Sequence, residues 1–176
     1  MNDEIKLVKP SQTYAEQIWE YRTEFLEQGD SLDGCAGLEK VNDVNEWLVN
    51  IKKNSREETV AEGLVPASTF LAVRKADNQV VGMIDIRHRL NDFLLKFGGH
   101  IGYSVRPNER QKGYAKEMVR QALQECCNTL KMPKVLITCD KVNIASAKTI
   151  LANNGILENE VQENDRVTQR YWIIFS

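Results

Sequence analysis

Residues 106–116 combine cationic side chains and a glycine in a spacing suited to binding a phosphate group. The segment reads Arg-Pro-Asn-Glu-Arg-Gln-Lys-Gly-Tyr-Ala-Lys. A strand is predicted just before it and a helix just after Gly113, so the free amides and positive dipole end of that helix would face the turn. Arg110 and Lys112 add positive charge. The segment therefore predicts an anion site, with a purely structural turn as the alternative.

The elements on either side of this turn follow from hydrophobic periodicity. One face of the predicted strand carries Ile101, Tyr103 and Val105. The other face carries His100, Gly102 and Ser104. After the turn, apolar residues recur at helical spacing, at Tyr114, Met118, Val119, Ala122, Leu123, Cys126 and Leu130. Strand alternation followed by helical spacing predicts a strand, a turn and a half-buried helix.

The motif Arg110-x-x-Gly113-x-Ala115 resembles the acetyl-CoA pyrophosphate loop of the GNAT superfamily of N-acetyltransferases. It differs from the Rossmann and Walker glycine motifs. Ala115 stands where the family often has glycine. The resemblance implies that the pyrophosphate of acetyl-CoA rests on the amides of Gln111, Lys112, Gly113, Ala115 and Lys116, with charge from Arg110 and Lys112.

A second motif, Asn143-x-x-Ser146, follows the next predicted strand. The resemblance implies that Asn143 and Ser146 lie against the pantetheine arm, and that the backbone amides of Tyr103, Ser104 and Val105 pair with it as a neighbouring strand would. The alternative is that Asn143 only caps the helix that begins there.

The general acid that the resemblance leads one to expect is missing. Ile150 stands where the family frequently has a tyrosine that protonates the leaving thiolate. Three alternatives stay open for this proton: Tyr103, Tyr21 or water. The thiolate could also leave unprotonated, since a thiol pKa is about 8.5.

The catalytic candidates are His100 and Tyr103. His100, with an ordinary pKa near 6.5, could accept the proton that the amine loses. The alternative for His100 is a structural histidine at the strand edge. His88 lies between two arginines and is the weaker base, and Asp85 is a third candidate.

Composition narrows the functional classes. The 176 residues suit one domain, 1–176, and a net charge of −2 argues against bulk binding to nucleic acid. The acidic start and the lack of a long apolar run predict a cytoplasmic protein without a membrane segment. The four cysteines have no zinc spacing and are predicted to be reduced, with Cys126 and Cys139 in the core. No metal site is predicted.

The order of predicted elements is a strand (4–8), a helix from Ser11, a helix (41–54), a hairpin (69–89), the strand, turn and helix above, a strand (134–139), a helix (140–155) and two final strands (156–161 and 167–175). Together with the resemblance, this order predicts an α/β fold with a mixed, mostly antiparallel central sheet, flanked by helices and splayed between the fourth and fifth strands.

The resemblance implies an N-acetyltransferase that moves an acetyl group from acetyl-CoA to a primary amine by direct attack in a ternary complex. The alternative is a non-catalytic acyl-CoA-binding regulatory domain. The acceptor, a small-molecule amine or a peptide amine, cannot be deduced from the fold. An acidic edge on the first helix favours a cationic acceptor, although a solvated helix face would look the same. The late strands could pair in a homodimer.

Overall fold

The computed structural model describes residues 3–176. The strands are β1 (Ile5–Val8), β2 (Ala67–Arg74), β3 (Gln79–Arg87), β4 (Ile101–Val105), β5 (Lys134–Asp140), β6 (Ile156–Glu163) and β7 (Arg166–Ile174). The helices are α1 (Ala15–Gln28), α2 (Val44–Lys53), α3 (Tyr114–Asn128) and α4 (Ile144–Ala152). This mixed α/β architecture, with antiparallel strands flanked by helices, confirms the predicted fold class.

The strands form two sheets that meet at β4 and β5. One sheet has the order β1-β2-β3-β4 and the other the order β5-β7-β6, and every neighbouring pair is antiparallel. The two sheets touch where the His100 amide donates to the Leu136 carbonyl oxygen at 2.7 Å. Along Ile101–Val105, strand β4 pairs with β3 alone, so the predicted splay is present as a gap beside β4.

Two hydrophobic cores hold the sheet of β1–β4 between helices. On one face, α3 buries Met118, Val119 and Ala122 against the sheet. On the other, α1 and α2 bury side chains that include Tyr21, Phe25 and Trp47 against β2 and β3. Burying an aliphatic or aromatic side chain of this size contributes roughly 1.5–3 kcal/mol, so both faces of this sheet are firmly held.

Several boundaries differ from those predicted. Ser11 makes no side-chain cap, and a single 3₁₀ turn at Gln12–Tyr14 precedes α1. Helix α2 begins at Val44 rather than at Val41, because the Asp43 side chain accepts from the Glu46 amide and fixes the start there. The predicted loop before β4 contains a π-helical turn at Leu94–Gly98. Cys126 and Cys139 are buried free thiols, as predicted.

Within residues 3–176, no helix combines the length and the apolar character that crossing a bilayer requires.

Candidate active site

The turn between β4 and α3 presents helix-terminal amides to solvent. Gln111 and Gly113 both have positive φ, at 63° and 85°, which turns the chain sharply into α3. The helix begins at Tyr114 with Gly113 as its cap, and no side chain caps the first turn. Arg110, Gln111, Lys112, Gly113 and Lys116 are exposed and Ala115 is half-buried. The predicted pyrophosphate residues thus lie together at a helix N-terminus that can bind an anion.

The buried carboxylate of Glu109 holds the same turn in place. Glu109 is 9% exposed and accepts hydrogen bonds from Arg74 Nη1 and Lys112 Nζ, each at 2.8 Å. Burial alone would raise the pKa of Glu109, but these two cationic donors lower it below its usual value. Arg74 also donates to the Tyr114 hydroxyl at 3.3 Å. The turn is therefore fixed to β2 and α3 at its first and last residues.

Arg110 lies along the exposed side of the turn. Its Nε donates to the Val105 carbonyl oxygen at 3.0 Å, and its guanidinium lies over the Phe25 ring. Its Nη2 is 3.4 Å from Asp30 Oδ2. Both charged groups of that pair are partly exposed, so the pair is weak. A phosphate group bound at the N-terminus of α3 could form an ion pair with the Arg110 guanidinium in place of Asp30.

Tyr103 reaches across the gap from β4 to α4. Its hydroxyl lies 2.6 Å from Ser146 Oγ, which joins the two separately predicted motifs. Burial, as the main cause, raises the pKa of Tyr103 to about 12. Ile150, one turn further along α4, is fully buried in the core. A tyrosine hydroxyl therefore faces α4 from the sheet, although residue 150 of the helix is isoleucine.

The backbone of β4 is free on the gap side at alternate residues. His100 O and Arg106 N are both bonded to β3, to the Arg87 amide and the Val81 carbonyl. By the alternation of an antiparallel ladder, Ser104 shares that direction, while Tyr103 and Val105 point their amides into the gap. The predicted pairing with pantetheine therefore suits Tyr103 and Val105, whereas the Ser104 amide is engaged with β3.

His100 is held between β4 and β5. It is 7% exposed, and its Nδ1 accepts from the Leu136 amide at 2.9 Å. Burial and the nearby Arg87 lower the pKa of His100 to about 4. A neutral imidazole that accepts at Nδ1 carries its proton on Nε2, so neither nitrogen offers a free lone pair. This geometry does not favour the predicted role of general base and fits the structural alternative.

Asn143 caps α4, as the alternative reading held. Its side-chain oxygen accepts from the Ser146 amide at 3.1 Å. The side chain is exposed, so the amide NH₂ group stays accessible to a ligand. The two readings of this asparagine are compatible.

The sequence reasoning missed a buried polar cluster on the opposite face of β4. Tyr21 and Ser104 share a hydrogen bond of 2.9 Å, and the Cys35 thiol lies 3.5 Å from the same hydroxyl. Burial raises the pKa of Cys35 to about 12, so this thiol stays neutral. The glycine-rich composition of residues 29–37 was the only sequence signal that this loop packs against the sheet.

Arg106 is the second group that sequence reasoning missed. It is 5% exposed, and its guanidinium lies 5.8 Å from the centre of the Tyr21 ring. Its Nε is 3.5 Å from Glu24 Oε2, and neither Nε nor Nη2 has a hydrogen-bond partner. The positive charge of Arg106 is thus stabilised by the Glu24 carboxylate and by the face of the Tyr21 ring. Strand alternation alone would have put Arg106 on the same face as Ser104.

Comparison with known proteins agrees with this geometry. A family model described as "Acetyltransferase (GNAT) domain" matches residues 10–155. No curated protein matches the chain in a sequence search.

Three solved structures illustrate the likeness in fold. A ribosomal-protein-S5-alanine acetyltransferase from Vibrio fischeri has a TM-score of 0.72 at 14% identity, over 99% of this chain and 93% of that one. The microcin C7 self-immunity acetyltransferase MccE, in complex with acetyl-CoA and AMP, has a TM-score of 0.65 at 21% identity, over 99% and 94%. A dodecameric spermidine N-acetyltransferase from Vibrio cholerae has a TM-score of 0.65 at 11% identity, over 97% and 93%.

The family model covers most of the chain, residues 10–155, and includes the turn before α3 and the gap beside β4, and the chain belongs to the GNAT acetyltransferase domain family.

Proposed function

We propose that this protein transfers an acetyl group from acetyl-CoA to a primary amine by direct attack in a ternary complex. The observation that carries the proposal is the turn before α3, where uncapped helix amides and the Arg110 side chain offer a seat for a pyrophosphate. The gap beside β4 extends from this turn to Tyr103. In this gap the pantetheine arm could lie along β4 and accept hydrogen bonds from the free amides of Tyr103 and Val105.

The reaction requires that the amine lose one proton and that the leaving thiolate receive one. The amine nitrogen forms a bond to the thioester carbonyl carbon and loses a proton, and the C–S bond then breaks to release a thiolate. A β4 amide that faces the gap would stabilise the oxyanion formed in between. Tyr103 is placed to protonate the thiolate, because its hydroxyl lies in the gap against Ser146 at 2.6 Å and stays protonated at neutral pH.

His100 has a positioning role in this proposal. Its hydrogen bond to Leu136 fixes β4 to β5 next to the gap, so it sets where the two strands part. The proton that the amine loses must therefore go to another group.

The acceptor is proposed to be a primary amine on a small molecule or a peptide. The structures of similar fold include acetyltransferases named for spermidine and for a ribosomal-protein alanine. On α1 of this chain, three glutamates, Glu16, Glu20 and Glu24, lie along one side of the helix around a shallow surface depression beside Trp19. That acidic helix edge would favour a cationic acceptor over an anionic one. We expect the protein to work in the cytoplasm without nucleic acid or membrane, and a homodimer through the late strands is compatible with the proposal.

Turnover separates this proposal from a non-catalytic acyl-CoA-binding domain. The purified protein is incubated with acetyl-CoA and, in separate reactions, spermidine, Nα-acetyl-lysine amide and an alanine-initiated peptide. We expect release of free CoA thiol that depends on one of these amines and is lost in Tyr103→Phe. Tight acetyl-CoA binding without amine-dependent thiol release would support the regulatory domain instead.

A further inference from the structure

Asp85 is a buried carboxylate that the mechanism above does not use. It is 6% exposed, and its Oδ1 accepts from Thr69 Oγ1 at 2.7 Å. Its Oδ2 lies 3.7 Å from Arg87 Nε, which is longer than a hydrogen bond. Glu109, the other buried carboxylate among residues 3–176, is satisfied by Arg74 and Lys112. Asp85 therefore keeps an oxygen that is able to accept one more donor.

Asp85 lies on the strand next to β4, and β4 borders the gap where acetyl transfer is proposed to occur. Met83, two residues earlier, packs in the core of α1 and α2, so Asp85 lies on the same face of β3, opposite α3. In the register of β3 and β4, Asp85 is paired with Gly102. Residues paired in this way have Cα atoms about 5.5 Å apart. Gly102 precedes Tyr103, whose side chain points to the α3 face, so Asp85 and the proposed general acid lie on opposite faces of the sheet at neighbouring positions along β4.

A loop closes over this position. Residues 29–37, here called the glycine loop, cross the β3–β4 pair, and a Cβ added to Gly34 would be 2.4 Å from the Gly102 carbonyl oxygen. Cys35 of the loop is buried against Ser104, and its carbonyl oxygen accepts from Trp47 Nε1 at 2.9 Å. Gly29 and Gly37, at the two ends, have positive φ of 68° and 76° and open space around them. The loop thus has a glycine at each end, a residue type that can adopt many backbone conformations, and a closely packed centre.

We propose that Asp85 receives the ammonium group of the acceptor, and that the glycine loop lifts from Gly102 to admit it. This inference rests on the proposed acetyl transfer and adds the acceptor class, a cationic amine on a slender chain. Gly34 and Gly102 form the passage, and neither has a side chain that would obstruct a thin aliphatic amine. A buried carboxylate binds an ammonium group with a charge-assisted hydrogen bond.

With Asp85 as the group that accepts a proton from the amine, every proton in the reaction is accounted for. The bound ammonium gives one proton to solvent as it becomes a neutral amine. As its nitrogen bonds to the thioester carbon, the second proton passes to the Asp85 carboxylate, the C–S bond breaks, and the sulfur takes the Tyr103 proton. Asp85 then releases its proton to solvent and Tyr103 recovers one, so both groups return to their initial states.

The charged and titratable neighbours of Asp85 set its response to pH. Burial is the main cause that raises the pKa of Asp85, while Arg87 and His88 and the hydrogen bond from Thr69 lower it. On the glycine loop, the Cys35 thiol is neutral, and the charge of Asp85 is one of the causes that raise the pKa of that thiol. Removing the Thr69 hydroxyl would take away one lowering cause and raise the pKa of Asp85 further.

The test compares three variants with wild type, using the amine among spermidine, Nα-acetyl-lysine amide and the alanine-initiated peptide that wild type acetylates fastest. Asp85→Asn is isosteric, Asp165→Asn makes the same charge change in the exposed turn between β6 and β7, and Thr69→Val alters only the neighbour of Asp85. Each variant is first checked for its Tm and for acetyl-CoA binding by thermal shift.

We expect kcat/KM for the amine to fall by about 100-fold or more in Asp85→Asn and to stay within about 2-fold of wild type in Asp165→Asn. In Thr69→Val, the acidic limb of the kcat/KM profile should move to higher pH, a shift that a purely structural Asp85 would not produce. Among the three amines, the two with slender terminal amines should be faster than the alanine-initiated peptide.

Two results would overturn the inference while leaving acetyl transfer intact: an Asp85→Asn variant with wild-type kcat/KM, or an unmoved acidic limb in Thr69→Val. Wild type that binds acetyl-CoA but acetylates none of the three amines would overturn both the inference and the transferase proposal. Failure of wild type to bind acetyl-CoA would remove the proposed function on which the inference rests.

Discussion

His100 and Leu136 exchange two hydrogen bonds at the point where the two sheets part. The His100 amide donates to the Leu136 carbonyl oxygen at 2.7 Å, and the Leu136 amide donates to His100 Nδ1 at 2.9 Å. An imidazole nitrogen thus occupies the place that a backbone carbonyl would have in a continuing ladder. One residue of backbone pairing is followed by a gap, and that gap is where the pantetheine arm is proposed to lie.

This relationship predicts a pH dependence of stability. With the pKa of His100 lowered to about 4 from an ordinary 6.5, the unfolded chain binds the proton more readily. The free energy of unfolding is therefore highest above pH 6.5 and falls, by about 3 kcal/mol from this group, as the pH drops from 6.5 to 4. Urea unfolding of wild type and His100→Asn across this range checks it, since asparagine keeps an accepting oxygen and does not titrate. Parallel curves for the two proteins would contradict the assignment.

A companion variant tests the acceptor itself. His100→Leu leaves the buried Leu136 amide without a partner, which should lower the free energy of unfolding by about 1–3 kcal/mol at pH 7. His100→Asn should lose less. Equal losses in the two variants would mean that the hydrogen bond contributes nothing.

The Tyr103 hydroxyl is expected to act on the leaving group rather than on donor binding. Tyr103→Phe should lower kcat about 100-fold while the Kd for acetyl-CoA changes less than about 2-fold, because the backbone of β4 is intact. Ser146→Ala, which removes only the partner of the hydroxyl at 2.6 Å, should have the smaller effect. Stopped-flow and steady-state measurements separate the two constants. Full kcat in Tyr103→Phe would assign the proton to water or to Tyr21.

Arg110 is expected to contribute to donor affinity through charge. Arg110→Ala should weaken acetyl-CoA binding about 10- to 100-fold, as expected for the loss of a charged hydrogen bond. Arg120, on the solvent side of α3 and paired with Glu117, supplies the matched control. Calorimetric titration of Arg110→Ala and Arg120→Ala at two salt concentrations checks this. A loss of affinity that is the same in both variants would mean that the effect comes from net charge alone.

The close packing of Gly34 against β4 predicts how two glycine substitutions in the glycine loop change stability. A methyl group at Gly34 would meet backbone atoms of Gly102 and Tyr103 at 2.4–2.7 Å, whereas one at Gly37 would meet nothing within 4 Å. Both residues have positive φ, so each alanine costs roughly 1–2 kcal/mol of backbone strain, and Gly34→Ala adds the clash. Urea titration should therefore give Gly34→Ala the larger loss by at least about 1 kcal/mol. A larger loss in Gly37→Ala would contradict the observed packing.

The sequence predicted elements whose periodicity was local and missed contacts made between distant segments. The alternation of β4 and the stripe of α3 follow from residues close in sequence, and both were predicted correctly. The contact of Tyr103 with Ser146 joins residues 43 positions apart, so the two motifs could be named separately but not placed in contact. His100 was predicted as a base because its residue type suits that role. Only the fold shows that a backbone amide occupies its nitrogen.

The glycine loop illustrates the other limit. Its composition indicates turns, yet nothing in residues 29–37 indicates that Gly34 rests on Gly102 or that Cys35 faces Ser104. Those contacts depend on how α1 and α2 pack on the sheet. For the same reason, the sequence predicted Asp85 only as a third candidate base and did not show that its carboxylate is buried or that it pairs with Gly102.

The measurement that tests the central claim most directly is the thermal shift of the purified protein with acetyl-CoA, with adenosine as a control that lacks the pyrophosphate and the pantetheine. Saturation at about 100 times Kd stabilises the folded protein by about 2.7 kcal/mol. For a chain of this length, we predict a rise in Tm of about 5 to 10 °C with acetyl-CoA and none with adenosine. An unchanged Tm at millimolar acetyl-CoA would contradict the proposed pyrophosphate seat and the acetyl transfer that depends on it.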